Sequence, residues 1–388
     1  MDARKRHTLI WKGARPLAKF GSKLLFNYTA ETCREEGPFL VLSNHNTDLD
    51  PMLTACSFPN PLYFVASEHI LRQGRVSDFV NFITEIIARQ KGGSSTATIK
   101  GIVNHLKAGH DVCLYPEGNR SWDGVTRPIS PATGKLVRMA GAKLVTLRME
   151  GAYLASPRWS GCSIRRGKAH GTIAGVYDAE YLRSISAKEI QEIIERDLYQ
   201  NDYADQSENR VRFFGRNLAE HLETLLFMCP HCKAQGRMRS EGNYFICDEC
   251  GTKLRYTADG FFAGENMIFD TVLDWRIWQT GRIRALCEDE EKDEIFSDGD
   301  MELYSIETGS NAKFNCSGEL RLSRKGLTLP SGEFIPIGEI TGMSIRGAQD
   351  LYFSRGSENF FVRSDKIRCT SKYLTACGMF DKRLLYGI

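Results

Sequence analysis

The run Asn44-His45-Asn46-Thr47-Asp48-Leu49-Asp50-Pro51 follows an apolar segment and sets a histidine and an aspartate with four residues between them. A neutral imidazole within hydrogen-bond reach of an alcohol takes its proton as the oxygen attacks an electrophile. A carboxylate on the other ring nitrogen fixes the tautomer and stabilises the imidazolium that forms. Asp50 is the expected orienting group, and Asp48 is a competitor that spacing leaves open. A second run, Tyr115-Pro116-Glu117-Gly118-Asn119-Arg120-Ser121, carries groups suited to an acidic substrate. Arg120 can grip phosphate through its fork of donors. Gly118 permits close backbone approach. Glu117 binds a hydroxyl or holds the arginine. Each run alone also has a bland reading, a structural histidine or a Glu–Arg pair at a turn.

The elements around these runs must position them. Phe39-Leu40-Val41-Leu42 is continuously apolar, the mark of a strand buried on both faces. Pro61–Ala66, Asp111–Tyr115 and Lys143–Met149 read as further strands. Residues 76–88 and 98–108 carry helix-like apolar spacing, with a Gly/Ser/Thr-rich loop at 91–98. Strands alternating with helices predict an α/β layer with a mixed, largely parallel sheet flanked by helices. In such sheets ligands gather beyond the carboxyl ends of strands, where both runs sit.

Taken together, Asn44-His45-x4-Asp50 and Tyr115–Ser121 resemble blocks I and III of the glycerolipid acyltransferases, the family that includes 1-acylglycerol-3-phosphate acyltransferase. The resemblance covers roughly residues 20–200. It implies that His45 is the base supported by Asp50, and that Glu117, Gly118, Asn119 and Arg120 bind the acceptor's phosphate and hydroxyls. Arg89, in Ile86-Ile87-Ala88-Arg89, matches the arginine that ends block II and contacts phosphate. Asn119 stands where threonine is usual, and Thr146 where block IV usually carries proline, on a strand expected to line the acyl or acceptor site. The resemblance implies direct attack of a glycerol hydroxyl on the thioester of acyl-CoA or acyl carrier protein, with phosphatidic acid as product. Glycerol 3-phosphate or another lysophospholipid is the alternative acceptor. A non-catalytic lipid- or protein-binding scaffold is the alternative class. No Gly-x-Ser-x-Gly elbow is present, and Cys113, inside an apolar strand, reads as a buried structural thiol.

The rest of the chain points to further domains. At 388 residues with 42% hydrophobic and 26% charged residues, two or three cores are expected. Cys229-Pro230-His231-Cys232 and Cys247-Asp248-Glu249-Cys250 are two Cys-x-x-Cys knuckles, a strong signal for a closed structural zinc site. His231 is expected to be a spectator, and a redox pair is the lesser reading. The other cysteines are scattered, which suits a reducing compartment.

Residues 4–23 hold Arg4, Lys5, Arg6, Lys12, Arg15, Lys19 and Lys23 with no acid among them, interleaved with Leu9, Trp11, Leu17 and Phe20. That pattern suits the headgroup region of an anionic membrane, or a terminal helix packed on its domain. No apolar run is long enough to span a bilayer, and no signal peptide is read. A peripheral position on the cytoplasmic face of a bacterial membrane is expected.

The net charge is only +3, and the knuckles carry no strong basic footprint, so no nucleic-acid partner is expected. The expected organisation is a membrane-contact segment at 1–27, the acyltransferase-like domain at 28–200, a linker helix at 201–226 with a polar stretch at 201–209, a zinc ribbon at 227–255, and a strand-rich domain at 256–388. The last closes with a helix near 371–380 and is pleckstrin-homology-like in element order. The acidic run Glu288–Glu294 reads as a solvated loop.

Overall fold

A computed structural model describes residues 3–67, 84–89, 95–161, 163–306 and 312–386. The chain divides into two compact units, residues 1–157 with 164–214, and residues 158–163 with 215–388.

In the first unit, α1 (Ala3–Phe26) leads into β1 (Tyr28–Ala30), β2 (Phe39–Ser43), α2 (Asp50–Ala55), β3 (Leu62–Ser67), β4 (Ile87–Arg89), α3 (Ser95–Lys107) and β5 (Asp111–Leu114). Then come α4 (Ala132–Ala140), β6 (Lys143–Glu150), α5 (Ala152–Ala155), β7 (Ala169–Tyr177), α6 (Ala179–Ser184), α7 (Ala187–Leu198) and α8 (Asp202–Glu208). The sheet runs β1-β7-β6-β2-β5-β3-β4. Every pairing is parallel except β6 with β7. The mixed, largely parallel sheet flanked by helices is therefore present.

Strand β2 is buried along its whole length, as its unbroken apolar sequence requires. Leu40 and Leu42, with Tyr63, Val112 and Leu144, pack against Ile190, Ile194 and Leu198 of α7. A capping box starts that helix: Ser186 accepts from the Glu189 amide and Glu189 accepts from the Ser186 amide.

Some elements differ from expectation. Residues 68–83, which hold most of the helix expected at 76–88, lie outside the described residues, and its end, Ile87–Arg89, is a strand parallel to β3. A three-residue segment does not distinguish the two periods. Of the linker helix expected at 201–226, only the start is present, as α8 (Asp202–Glu208), where the Asn201 side chain caps the amides of Tyr203 and Ala204. Residues 209–226 hold one short 3-10 turn, Leu222–Thr224, rather than a helix. Phe213, Leu218, Leu222 and Leu225 are nevertheless buried.

In the second unit, β8 (Met238–Glu241), β9 (Tyr244–Cys247), β10 (Lys253–Tyr256) and β11 (Phe262–Ala263) form an antiparallel sheet. Helix α9 (Val272–Glu288) was not expected from the strand-rich reading of this region. Its signal was Thr271, whose hydroxyl accepts from the Asp274 amide. One turn apart, Trp275, Gln279, Ile283 and Cys287 face inward.

The tail follows as β12 (Glu294–Ile306), β13 (Lys313–Ser323), β14 (Gly326–Thr328), β15 (Phe334–Pro336), β16 (Ile340–Arg346), β17 (Asp350–Arg355) and β18 (Glu358–Arg363), closed by α10 (Ser371–Phe380). Its order is β15-β14-β13-β12-β18-β17-β16. Two meanders are thus joined where β12 pairs with β18.

Candidate active site and cysteine cluster

Beyond β2 the chain turns sharply and is clamped on both sides. The Asn44 amide donates to the Met149 carbonyl at 2.9 Å and accepts from the Met149 N–H at 2.7 Å, tying the loop to the end of β6. His45 donates its backbone N–H to Glu117 Oε1 at 2.7 Å, and its carbonyl accepts from the Ser121 N–H at 2.8 Å. The loop after β5 therefore holds the loop after β2 directly.

Asp50 opens α2, with Pro51 in the first turn. Its carboxylate is fully buried. Oδ2 accepts from His45 Nδ1 at 2.7 Å, from the Asn46 N–H at 2.5 Å and from the Thr47 N–H at 3.0 Å. Oδ1 accepts from the Thr47 hydroxyl at 2.9 Å. These donors satisfy a charge that would otherwise be costly to bury. With Nδ1–H directed at Asp50, His45 Nε2 carries the lone pair. The imidazole is 21% exposed and stacks on Tyr115 at 4.5 Å with 20° between planes. Tyr115 is itself held by Thr54, hydroxyl to hydroxyl at 3.0 Å.

The aspartate left open by spacing is placed elsewhere. Asp48 is 71% exposed and pairs with Arg120, Oδ2 to Nη1 at 3.0 Å. Gly118 adopts φ +67° and donates to the Tyr115 carbonyl at 3.1 Å, a turn that favours glycine. Asn119 is half-buried beside it. Arg89 ends β4, at the same carboxyl edge of the parallel strands, and its side chain lies outside the described residues.

Glu117 sits differently from a side chain waiting for a hydroxyl. It is buried, and its two oxygens accept from His45 N and, at 2.5 Å, from Arg127 N. Burial pushes its carboxyl up to about 8, against the pull of those two donors. A folded-state value above the ordinary one means that the folded protein binds the extra proton. The associated stability is present below the ordinary carboxyl value and is lost as pH rises through about 8. Glu117→Gln should destabilise the protein by about 1–3 kcal/mol, since one backbone N–H would face an amide NH₂. Urea midpoints followed from mildly acid to mildly alkaline pH should show wild type losing stability relative to this variant. Parallel curves would remove Glu117 from the titration.

Two further expectations are settled by burial. Thr146 does not line the site: its hydroxyl donates to Asp197 Oδ2 at 2.7 Å, as does Tyr177 at 2.7 Å, on the side of the sheet covered by α7. Successive strand residues face opposite sides, so one position in β6 can depart from a motif without touching the chemistry. Cys113 is fully buried, and desolvation raises its thiol far above the ordinary range. Asn44, Thr47 and Tyr115 belong to the motifs, but spacing assigns them no role. The structure shows them to be the clamp, a donor to both Asp50 oxygens, and the partner on which His45 stacks.

In the second unit, Cys229, Cys232, Cys247 and Cys250 bring their sulfurs within 4.8 Å of one another. Cys229 and Cys250 stand 3.7 Å apart, as do Cys232 and Cys247. Disulfide sulfurs would lie about 2 Å apart. Four thiolates at about 2.3 Å around a tetrahedral ion stand about 3.8 Å apart, so the cluster can hold a metal. Gly251, at φ +75°, donates to the Cys247 carbonyl and closes the second knuckle. His231 lies outside the cluster, its Nε2 contacting the Asn266 carbonyl at 3.0 Å.

Residues 26–150 match an acyltransferase family model. A crystal structure of the 1-acyl-sn-glycerophosphate acyltransferase PlsC from Thermotoga maritima matches with 20% identity and a TM-score of 0.43, over 54% of this chain and 84% of that one. No curated protein matches the chain.

Proposed function

We propose that the α/β unit transfers a fatty acyl group from the thioester of acyl-CoA or acyl carrier protein to the free hydroxyl of 1-acylglycerol 3-phosphate, forming phosphatidic acid for phospholipid synthesis. The observation that carries this reading is the 2.7 Å contact from buried Asp50 to His45 Nδ1, within residues that match an acyltransferase family model. In this reading His45 Nε2 takes the hydroxyl proton as the oxygen attacks the thioester carbonyl. The tetrahedral adduct collapses, the C–S bond breaks, and the imidazolium returns the proton to the leaving thiolate. Asp50 stabilises that imidazolium. Glu117 positions the His45 loop rather than touching substrate.

Arg120 and Arg89 hold the acceptor phosphate. The exposed Asp48 carboxylate on Arg120 occupies the place such a phosphate would take. Labelled acyl-CoA and acyl carrier protein thioesters, offered with 1-acylglycerol 3-phosphate, glycerol 3-phosphate and other lysophospholipids, test the reading. Phosphatidic acid should dominate, and Arg120→Ala should raise KM for the phosphorylated acceptor by about 10–100-fold. If no phosphorylated acceptor is acylated, the reading fails.

We assign structural zinc to the four cysteines and a pleckstrin-homology-like role to the tail, supported by its paired meanders and closing helix. We place the enzyme peripherally on the cytoplasmic face of an anionic bacterial membrane. Helix α1 supports this, for Trp11 and Phe26 face inward while Leu9, Leu17, Phe20 and Leu24 stay exposed beside lysines. No described helix is long and apolar enough to cross a membrane.

A further inference from the structure

A second surface of the first unit continues the exposed stripe of α1. Two segments, Ile164–Lys168 and Arg210–Phe214, meet in an antiparallel bridge. Arg166 N donates to the Phe214 carbonyl at 2.8 Å and Phe214 N to the Arg166 carbonyl at 2.9 Å. Residues directly opposite in such a bridge point their side chains to the same side, and their chain neighbours point to the other. The inward side carries Arg165 and Phe213, both buried. The Phe213 ring lies against Gly167 so closely that a Cβ there would meet it at 2.1 Å.

The outward side carries Arg166, Arg212 and Phe214, all exposed, with exposed Lys168 next along the chain. Phe214 is 60% exposed, and the Arg212 guanidinium lies 5.1 Å from its ring centroid. Neither segment contains an acidic residue. Arg166 also donates through Nε to the Leu24 carbonyl at 3.2 Å, in the last turn of α1. The patch thereby adjoins the helix that exposes Phe20 and Leu24.

We infer that Lys168, Arg212 and Phe214 form a second docking element for an anionic lipid bilayer, acting with α1. This rests on the membrane reading of α1 given above. An exposed aromatic ring flanked by cations, continuous with an apolar helical stripe, matches the headgroup region in both polarity and charge. An acidic protein would satisfy the cations but leave Phe214, Phe20 and Leu24 uncovered.

Sedimentation of the full chain with phosphatidylcholine vesicles, and with vesicles also containing phosphatidylglycerol, tests the assignment. The double variant Lys168→Glu/Arg212→Glu should weaken binding to the anionic vesicles by about 30-fold or more, at about tenfold per 1.4 kcal/mol and roughly 1 kcal/mol per charge. Phe214→Ser should weaken it by about tenfold, from the loss of a partly inserted ring. Raising the salt concentration should narrow the gap between wild type and the charge variant.

Leu17→Ser/Phe20→Ser, measured in parallel, separates the two readings. If that variant loses binding while the Lys168/Arg212 and Phe214 variants bind as wild type, the second element is overturned and α1 stands. If only the patch variants lose binding, the α1 reading falls, and the inference that patch and helix act together is overturned with it. If the charge variant sediments as wild type but transfers acyl groups poorly from acyl carrier protein alone, the patch docks an acidic protein and the lipid assignment is overturned. Circular dichroism matching wild type ensures that each comparison is between folded proteins.

Discussion

His45→Ala should lower kcat by about 10²–10⁴-fold, the range typical for removing a general base. The substitution deletes the ring whose Nδ1 contacts Asp50 and whose face lies on Tyr115. The backbone contacts of residue 45 to Glu117 and Ser121 would remain. The loop should therefore keep its shape, and the effect should fall on turnover rather than on folding. Asp50→Asn probes the same chemistry from the other side. An asparagine must present either a donor or a weaker acceptor to three converging N–H groups on Oδ2. The imidazole is then no longer held in one tautomer, and a loss of similar order is expected. The measurement is single-turnover acyl transfer at matched circular dichroism. Wild-type turnover in the alanine variant would remove His45 from the role of base.

The largest effect on stability should come from the four-cysteine cluster. Purified protein should carry about one zinc ion per chain, and Cys247→Ser should abolish that stoichiometry. Structural zinc contributes on the order of 10 kcal/mol in small ribbons, comparable to the whole stability of a domain at about 5–15 kcal/mol. The ribbon strands should not stay folded without the ion. Trp275 reports the loss: it is buried, with Phe245 and Phe262 at ring-centroid distances of 5.4 and 5.3 Å. Chelation should shift its fluorescence to that of a solvated indole, and the serine variant should show the shifted spectrum from the start. A metal-free chain with an unshifted Trp275 would sink the zinc assignment.

How much of the site could be read in the sequence depended on how local each contact is. His45, Asp50 and the two Cys-x-x-Cys pairs are close in sequence, so spacing alone placed their partners within reach. Strand β2 was legible because a continuous apolar run, Phe39–Leu42, between turn signals has few other readings. Helix α9 has no amphipathic stripe in sequence, because Leu273, Ile277, Trp278 and Leu286 lie off the inward face of Trp275, Ile283 and Cys287, so the capping threonine was its main signal. Of the linker helix expected at 201–226 only its start, α8, is helical, where Asn201 supplies a cap.

What the sequence determined by itself is the local chemistry: a histidine and an aspartate at a strand's end, an arginine-bearing turn at another, and four thiols at metal-binding intervals. Only the tertiary structure decided which aspartate the histidine meets. Both Asp48 and Asp50 are within reach in sequence, but Asp50 sits buried at the start of α2, where three N–H groups converge on one of its oxygens, and Asp48 points outward to Arg120. Tertiary structure also ties Glu117 to the backbone of His45, 72 residues away in the chain. The reason is common to both cases. A carboxylate's role follows from which donors the fold brings to it and how much water it keeps, and neither is encoded by spacing.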